Sequence, residues 1–482
     1  MKTTFKAHPF MMYYFIKPFL FVFILPVLKG AVQYLLFKRI TGILFYEVLL
    51  LVGLLAVALG RLLAFKIEVD DNCLTVKRGI FLRQTAVIDK NRISSIIMDR
   101  TPADFLLGSV TFKLNTEAGL VKSPDFKLKL WNSDSKRLYS LIYGDTASVK
   151  VKFPHLKVAL MAAATSSAVT GLIVGAPVIN QAGKMLGVSL ADVLFNQINS
   201  VSQKINTYTP PIVNSITIIV LAAYIFSFLV SFFKHLGFSL SAGGDKMEIR
   251  SGLFVKRHSI FKKRSVNNVC IEQTPLMRLF HVFSLCVSVA GYGDGKNERA
   301  VIVPCGSDRS IKDLFSVYFP HFEKIGSTQK APGNYRNGRR FLFVPTLLSV
   351  FIVATAIVEG LLFPEFISLV LFINSILMAL VVYYGNVCLK DFRTARISFG
   401  DNVFASGSVG ISRRRIYVEK EKIGVIKIAR TPADRKYNTC KVKINVRSES
   451  ADGIRIKNIE YAGICENIEN CYGIKGIYRK NP

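Results

Sequence analysis

Tryptophan occurs once, at Trp131, and only six histidines are scattered along the 482 residues. The eight cysteines, Cys73, Cys270, Cys286, Cys305, Cys388, Cys440, Cys465 and Cys471, form no C-x-x-C pair. That spacing excludes a readable zinc, haem or disulfide framework, so no metal and no cofactor is expected. Isolated cysteines in strand-like segments fit small buried hydrophobes in a reducing compartment, with a Cys465–Cys471 pair left open. Acidic residues are also short: 32 Asp plus Glu stand against 63 Lys plus Arg, a formal net charge of +31. What is abundant is apolar, 51% of residues, with a mean hydropathy of +0.36. A chain both apolar and basic reads as a membrane protein with a basic surface rather than a soluble nucleic-acid binder.

Long apolar runs bear this out. A hydrocarbon core about 30 Å thick needs roughly 20 mostly apolar residues in a helix. Residues 10–28, 43–64, 157–179, 212–233, 341–363 and 366–388 meet that length. The first run lacks a small-residue cleavage site and reads as a retained helix rather than a signal peptide. The runs pair as helical hairpins, 10–64, 157–233 and 341–388, so an even number of crossings precedes each polar segment. Segments 65–156, 234–340 and 389–482 are therefore expected on one side of the membrane. Each carries an excess of bases, whereas the turn Glu359-Gly-Leu-Leu-Phe-Pro-Glu365 has two acids and none. The positive-inside rule places the three segments in the cytoplasm, against the opposing signal of Lys29, Lys38 and Arg39 in the first hairpin loop. Between the third and fourth runs, 180–211 fits either an interfacial amphipathic helix or an ordered loop.

The polar segments repeat one another. Arg100-Thr-Pro-Ala-Asp104 recurs as Arg430-Thr-Pro-Ala-Asp434, with Gln273-Thr-Pro-Leu-Met277 at the matching place. Gly79-Ile-Phe-Leu-Arg83 mirrors Gly252-Leu-Phe-Val-Lys256, and Ile93, Val266 and Ile423 each precede the shared proline by nine residues. Gly407 is the third-copy counterpart of Gly79, two residues further out. Ser133 and Ser307 are candidate N-caps of a helical pattern closing the first two copies. Within the first copy, Phe65–Val69, Leu74–Arg78, Arg83–Ile88, Ile93–Met98, Val110–Thr116 and Phe126–Leu130 alternate as strands. The expected fold is therefore membrane helical hairpins plus three all-β or α+β soluble domains. Each is a small antiparallel barrel or sandwich of about seven strands with a C-terminal helix.

A helical hairpin, an apolar strand, a Gly-hydrophobic turn, a basic-Ile segment, Thr-Pro and then Leu106-Leu-Gly108 resembles the bacterial PH-like membrane proteins once grouped as a domain of unknown function. The three-copy form resembles the larger partner protein of that family in Bacillus and its relatives. Phe280-His281 and Arg435-Lys-Tyr437 depart from Leu107-Gly108 at the matching positions. The resemblance implies a role in envelope homeostasis or tolerance to membrane-active compounds, with a smaller PH-like membrane protein as partner.

No paired carboxylates, activated nucleophile or phosphate-cradling loop is evident, so no catalytic residue is assigned and a non-enzymatic protein is expected. Gly291-Tyr-Gly-Asp-Gly295 reads as a hairpin turn rather than a nucleotide site. Asp104 and Asp434 read as cap or turn residues. The candidate ligand-holding residues are basic: Lys77, Arg78, Arg83, Lys90 and Arg92 in the first copy, and Lys256, Arg257, Lys262, Lys263 and Arg264 in the second. Arg413, Arg414, Arg415, Lys420 and Lys422 form the third set. They fit contact with anionic lipid, a solvated strand face or a protein-binding groove; nucleic acid is disfavoured for want of an aromatic stacking run. The functional expectation is an integral, multi-pass cell-membrane scaffold binding anionic lipid or a protein partner. The alternative is a component of a transport or export complex, for which Lys17 and Glu47 are the intramembrane ionisable residues.

Overall fold

The computed structural model describes residues 3–17, 42–80, 82–117, 124–144, 149–186, 189–205, 211–289, 292, 299–323, 328–330, 335–362, 364–409, 412–446 and 454–473. It divides into two compact units. The first comprises 1–151, 239–265 and 289–298, and the second 152–238, 266–288 and 299–482. The boundary therefore falls inside the second sequence repeat.

In the first unit, alternating apolar residues build an antiparallel sheet of β1 (Thr3–Lys6), β2 (Lys66–Val69), β3 (Cys73–Arg78) and β4 (Gln84–Asp89), in that spatial order. Then come β5 (Ile93–Arg100), β6 (Ser109–Thr116) and β7 (Phe126–Trp131), and helix Asn132–Tyr143. Ile67, Leu74, Ile93, Ile96, Phe112, Leu130 and Leu138 are all buried in one shared core. Each such side chain contributes about 1.5–3 kcal/mol on leaving water. The expected strands of the first copy agree with these to within two residues. The helix, however, starts at Asn132 without a side-chain cap rather than on Ser133, whereas Ser307 caps Asp308–Tyr318 as expected.

The sheet does not end with the copy. Strands β8 (Val149–Lys152), β9 (Ser239–Gly243), β10 (Lys246–Ser251) and β11 (Lys256–Lys262) extend β5–β7 into seven strands, in the order β7-β6-β5-β11-β10-β9-β8. The joint is the antiparallel pair β5–β11, from Lys256 opposite Arg100 to Phe261 opposite Ser95.

The second unit repeats the device. Strands β12 (Val266–Gln273), β13 (Phe283–Val289) and β14 (Ala300–Gly306) continue through β18 (Ser412–Glu419) into β17 (Asn402–Val409), β16 (Arg396–Ser398) and β15 (Thr328–Lys330). The joint here is β12–β18. A last sheet, β19 (Ile423–Ala429), β20 (Thr439–Val446) and β21 (Ile454–Glu460), is followed by helix Tyr461–Tyr472. β13 and β14 pair antiparallel on either side of 291–295, as a hairpin requires; of that turn only Tyr292 is described.

Helical excursions leave and rejoin the sheets at neighbouring strands. Lys6 of β1 lies opposite Lys66 of β2, and Lys330 of β15 opposite Arg396 of β16. Between them, the Phe153 amide donates to the Phe238 carbonyl at 3.3 Å, and their rings meet edge to face. Among the described residues, helices Ser215–His235 and Leu342–Leu362 are long and apolar enough to cross a membrane. Leu49–Ala64 and Val370–Asn386 are shorter apolar stretches of helices Gly42–Ala64 and Ile367–Thr394. Of the run 10–28, residue 10 lies in a turn, residues 11–17 are helical, and 18–28 lie outside the described residues.

The expected span 157–179 is divided into His155–Thr165 and Ala168–Leu186, bent by 93°. The cause is local. Thr165 and Ser166 hydroxyls donate back to the Met161 and Ala162 carbonyls, while Ser167 accepts the Thr170 amide and starts a new helix. Residues 190–205, left open between helix and loop, are helical.

Candidate functional site

The repeated Thr-Pro motif is a helix start. Thr101 Oγ1 accepts the Asp104 amide, the Asp104 carboxylate accepts from the Thr101 amide, and Pro102 occupies the first turn, where its missing N–H is harmless. Thr431 and Asp434 repeat this capping box, and Thr274 caps its own helix. The residue six positions past each proline, Gly108, His281 and Asn438, has a left-handed φ of 67°, 53° and 50°. The sequence departure at His281 thus keeps the backbone shape at a conformational cost.

Asp104 goes further. Fully buried, it takes hydrogen bonds from Lys129 Nζ and from Ser109 Oγ at 2.5 Å. Those bonds hold its carboxyl below the usual range although burial pushes the other way. His8 closes the group: Nε2 lies 3.1 Å from the Leu107 carbonyl, and burial lowers its pKa. The third copy sets Lys441 only 4.0 Å from Asp434, and the second places buried Met277 there, which needs no ionic partner.

Six of the fifteen basic candidates are bound across the joints between copies. Arg257 donates to Asp99 at 2.8 Å, and Asp99 also holds Lys113 at 2.7 Å. Lys262 reaches the Lys90 and Asn91 carbonyls at 2.9 and 3.0 Å, and Arg264 the Asn91 carbonyl. At the other joint, Arg414 pairs with Glu272 at 2.9 Å, Arg415 with Asp308 at 2.8 Å, and Lys422 with the Val266 carbonyl at 2.6 Å. Lys420 bonds the Cys471 carbonyl inside its own copy. Lys77 pairs with Glu68, Arg78 with Gln84, and Lys90 with the Leu141 carbonyl. Arg83, Arg92 and Lys256 are exposed, Lys263 is half-buried, and Arg413 is half-buried with Nε unbonded among the described residues. The candidates are thus not gathered into one pocket.

Asp99 and Glu272, the acids that bind these arginines, carry no motif. Their signal is register, seven residues into the fifth strand of a copy. The described residues hold no group of three or more metal-ligating side chains. The described cysteines are all free thiols, and burial pushes Cys286 and Cys440 up to about 12, which makes them unreactive packing groups.

A groove of about 370 Å³ lies in the first unit, lined by Arg100, Thr101, Pro102, Phe105, Leu106, Leu253, Phe254 and Lys256. Reasoning from sequence missed it, because its two walls are 150 residues apart. One wall is the short helix after Thr101; the other is the β10–β11 turn at Gly252, whose φ of 104° suits glycine.

These features define a chain of tandem PH-type β-domains interleaved with apolar helices. The Bacterial PH domain family profile matches residues 20–145, 186–314 and 343–467, and the chain belongs to that family. The UPF0699 transmembrane protein YdbT of Bacillus subtilis (strain 168) is 22% identical over 431 residues, covering 83% of each chain. No solved structure matches.

Proposed function

We propose that the protein is a non-enzymatic, multi-pass membrane scaffold whose three PH-like copies lie on the cytoplasmic face and bind anionic lipid or a protein partner. One observation carries this reading: among the described residues, each helical excursion leaves and rejoins its sheet at adjacent strands, as a helical hairpin entering and leaving a bilayer by the same face would. The joints fit a scaffold, because arginines bound to Asp99 and Glu272 weld the copies into continuous sheets rather than leave them as beads on a string. The net charge of +31 favours an anionic surface, each base near it contributing about 1 kcal/mol. The resemblance to PH-like membrane proteins extends the reading to envelope homeostasis.

Cysteines introduced at Arg83, Arg264 and Glu365 test the topology with an impermeant maleimide in intact cells. Only the Glu365 position should be labelled until the cells are opened. Labelling at Arg83 or Arg264 in intact cells would overturn the orientation, and labelling at all three would overturn the one-sided arrangement.

A further inference from the structure

The groove between the Thr101 helix and the β10–β11 turn has two parts of opposite chemistry. Its rim is apolar and unusually open: Leu106 is 86% exposed, Phe105 and Phe254 61%, and Leu253 47%. Its end is cationic. Arg100 and Lys256 face each other as cross-strand partners on β5 and β11, an arrangement that places like charges side by side and destabilises a sheet. The neighbouring carboxylates do not relieve it. Asp99 is taken by Arg257 and Lys113, and Asp104 by Lys129. Arg100 lies over the Phe105 ring at 4.6 Å, with its buried Nε unbonded among the described residues. Five cations thus share two carboxylates, and among the described residues one buried donor has no hydrogen-bond acceptor.

We propose that this groove binds one anionic glycerophospholipid, with the phosphate between Arg100 and Lys256 and an acyl chain along Pro102, Phe105, Leu106, Leu253 and Phe254. A free phosphate would satisfy the cations and leave the apolar rim in water; a lipid satisfies both. The position suits a membrane source. His8, bonded to the Leu107 carbonyl at the end of the same short helix, stands two residues before the first apolar run. In addition, the β3–β4 turn, the first-copy counterpart of the Leu253-Phe254 turn, sets Ile80 against Gly60 of helix Gly42–Ala64. The inference deepens the scaffold reading by naming a site and a ligand class, and it rests on that reading.

The test is native mass spectrometry of the full chain in detergent, titrated with dioleoyl phosphatidylglycerol, dioleoyl phosphatidylcholine or inorganic phosphate. Two cations at about fivefold or less each should favour phosphatidylglycerol over phosphatidylcholine by about ten- to thirtyfold. Arg100→Gln and Lys256→Gln should each remove most of that preference, Lys256→Arg should keep it, and Leu106→Ser should weaken both lipids alike. Unchanged elution and a melting temperature no lower than that of the parent in Lys256→Gln, an exposed residue, separate lost binding from lost folding. A phosphatidylglycerol preference untouched by these substitutions overturns the groove and leaves anionic-lipid binding elsewhere on the scaffold standing. Inorganic phosphate competing as well as the lipid overturns the lipid assignment. No preference for phosphatidylglycerol overturns both the groove and the lipid part of the scaffold reading.

Discussion

At the scale of single residues the chain concentrates its risk in a few buried polar groups. Asp104 and Lys129 are both almost wholly buried and depend on each other. Removing one partner leaves an uncompensated charge, so Asp104→Ala should cost about 3–5 kcal/mol in chemical denaturation, and Asp434→Ala clearly less, its lysine being half exposed. His281→Gly should act in the opposite sense. Relief of a left-handed φ, less the extra freedom of the unfolded chain, should stabilise by up to about 1 kcal/mol in the same measurement. Glu248 supplies a pH dependence. The hydrogen bond from His258, opposed by burial and aided by Tyr139, holds it at about 2 against an ordinary 4.5. Its folded pKa is depressed, so its contribution is present above pH 4.5 and is lost as the pH falls towards 2. Glu248→Gln should flatten that acid limb of a melting-temperature profile. Asp104 and Asp434 were legible as cap or turn residues from their place after the repeated proline; the buried lysine beside Asp104 was not, since it lies 25 residues away on strand β7.

At the scale of elements, close contacts decide which helices pair. A Cβ at Gly171 would lie 1.8 Å from the Ala223 carbonyl oxygen, and Gly175 faces the Phe226 ring, so a Gly-x-x-x-Gly face brings helix Ala168–Leu186 against Pro211–His235. Gly171→Val should separate them and lower the melting temperature in detergent, while Gly53→Val, with no described atom within 4 Å of its added Cβ, should not. The strands of the first copy followed from alternation, and their recurrence in the others from the repeat. The break at Ser166–Ser167 did not, because apolar content alone does not distinguish a straight span from two helices whose hydroxyls end one and begin the next.

At the scale of the whole molecule, each copy is completed by the next. The first copy's β5 is covered by β11 of the second, and β12 of the second by β18 of the third. A segment cut at 65–156 would lose both β1 and the β11 cover and expose the edge of β5. It should elute as oligomers in size-exclusion chromatography, where the full chain in detergent gives one defined species. At the second joint, a double-mutant cycle on Arg414 and Glu272 should give a coupling of about 0.5–3 kcal/mol, as contacting residues in one ion-pair network do.

The amino-acid order alone determined the number of copies, the strands of the first copy, the recurrence of the Thr-Pro motif and the apolar runs between the copies. All of these depend on local periodicity or on short spacings repeated along the chain. Only the tertiary structure decided that the sheets run from copy to copy, that most joint cations are consumed by Asp99, Glu272 and backbone carbonyls, and that Arg100 and Lys256 end up side by side. Those outcomes depend on register between strands some 150 residues apart, where hydrogen-bond geometry, not local pattern, chooses the neighbour.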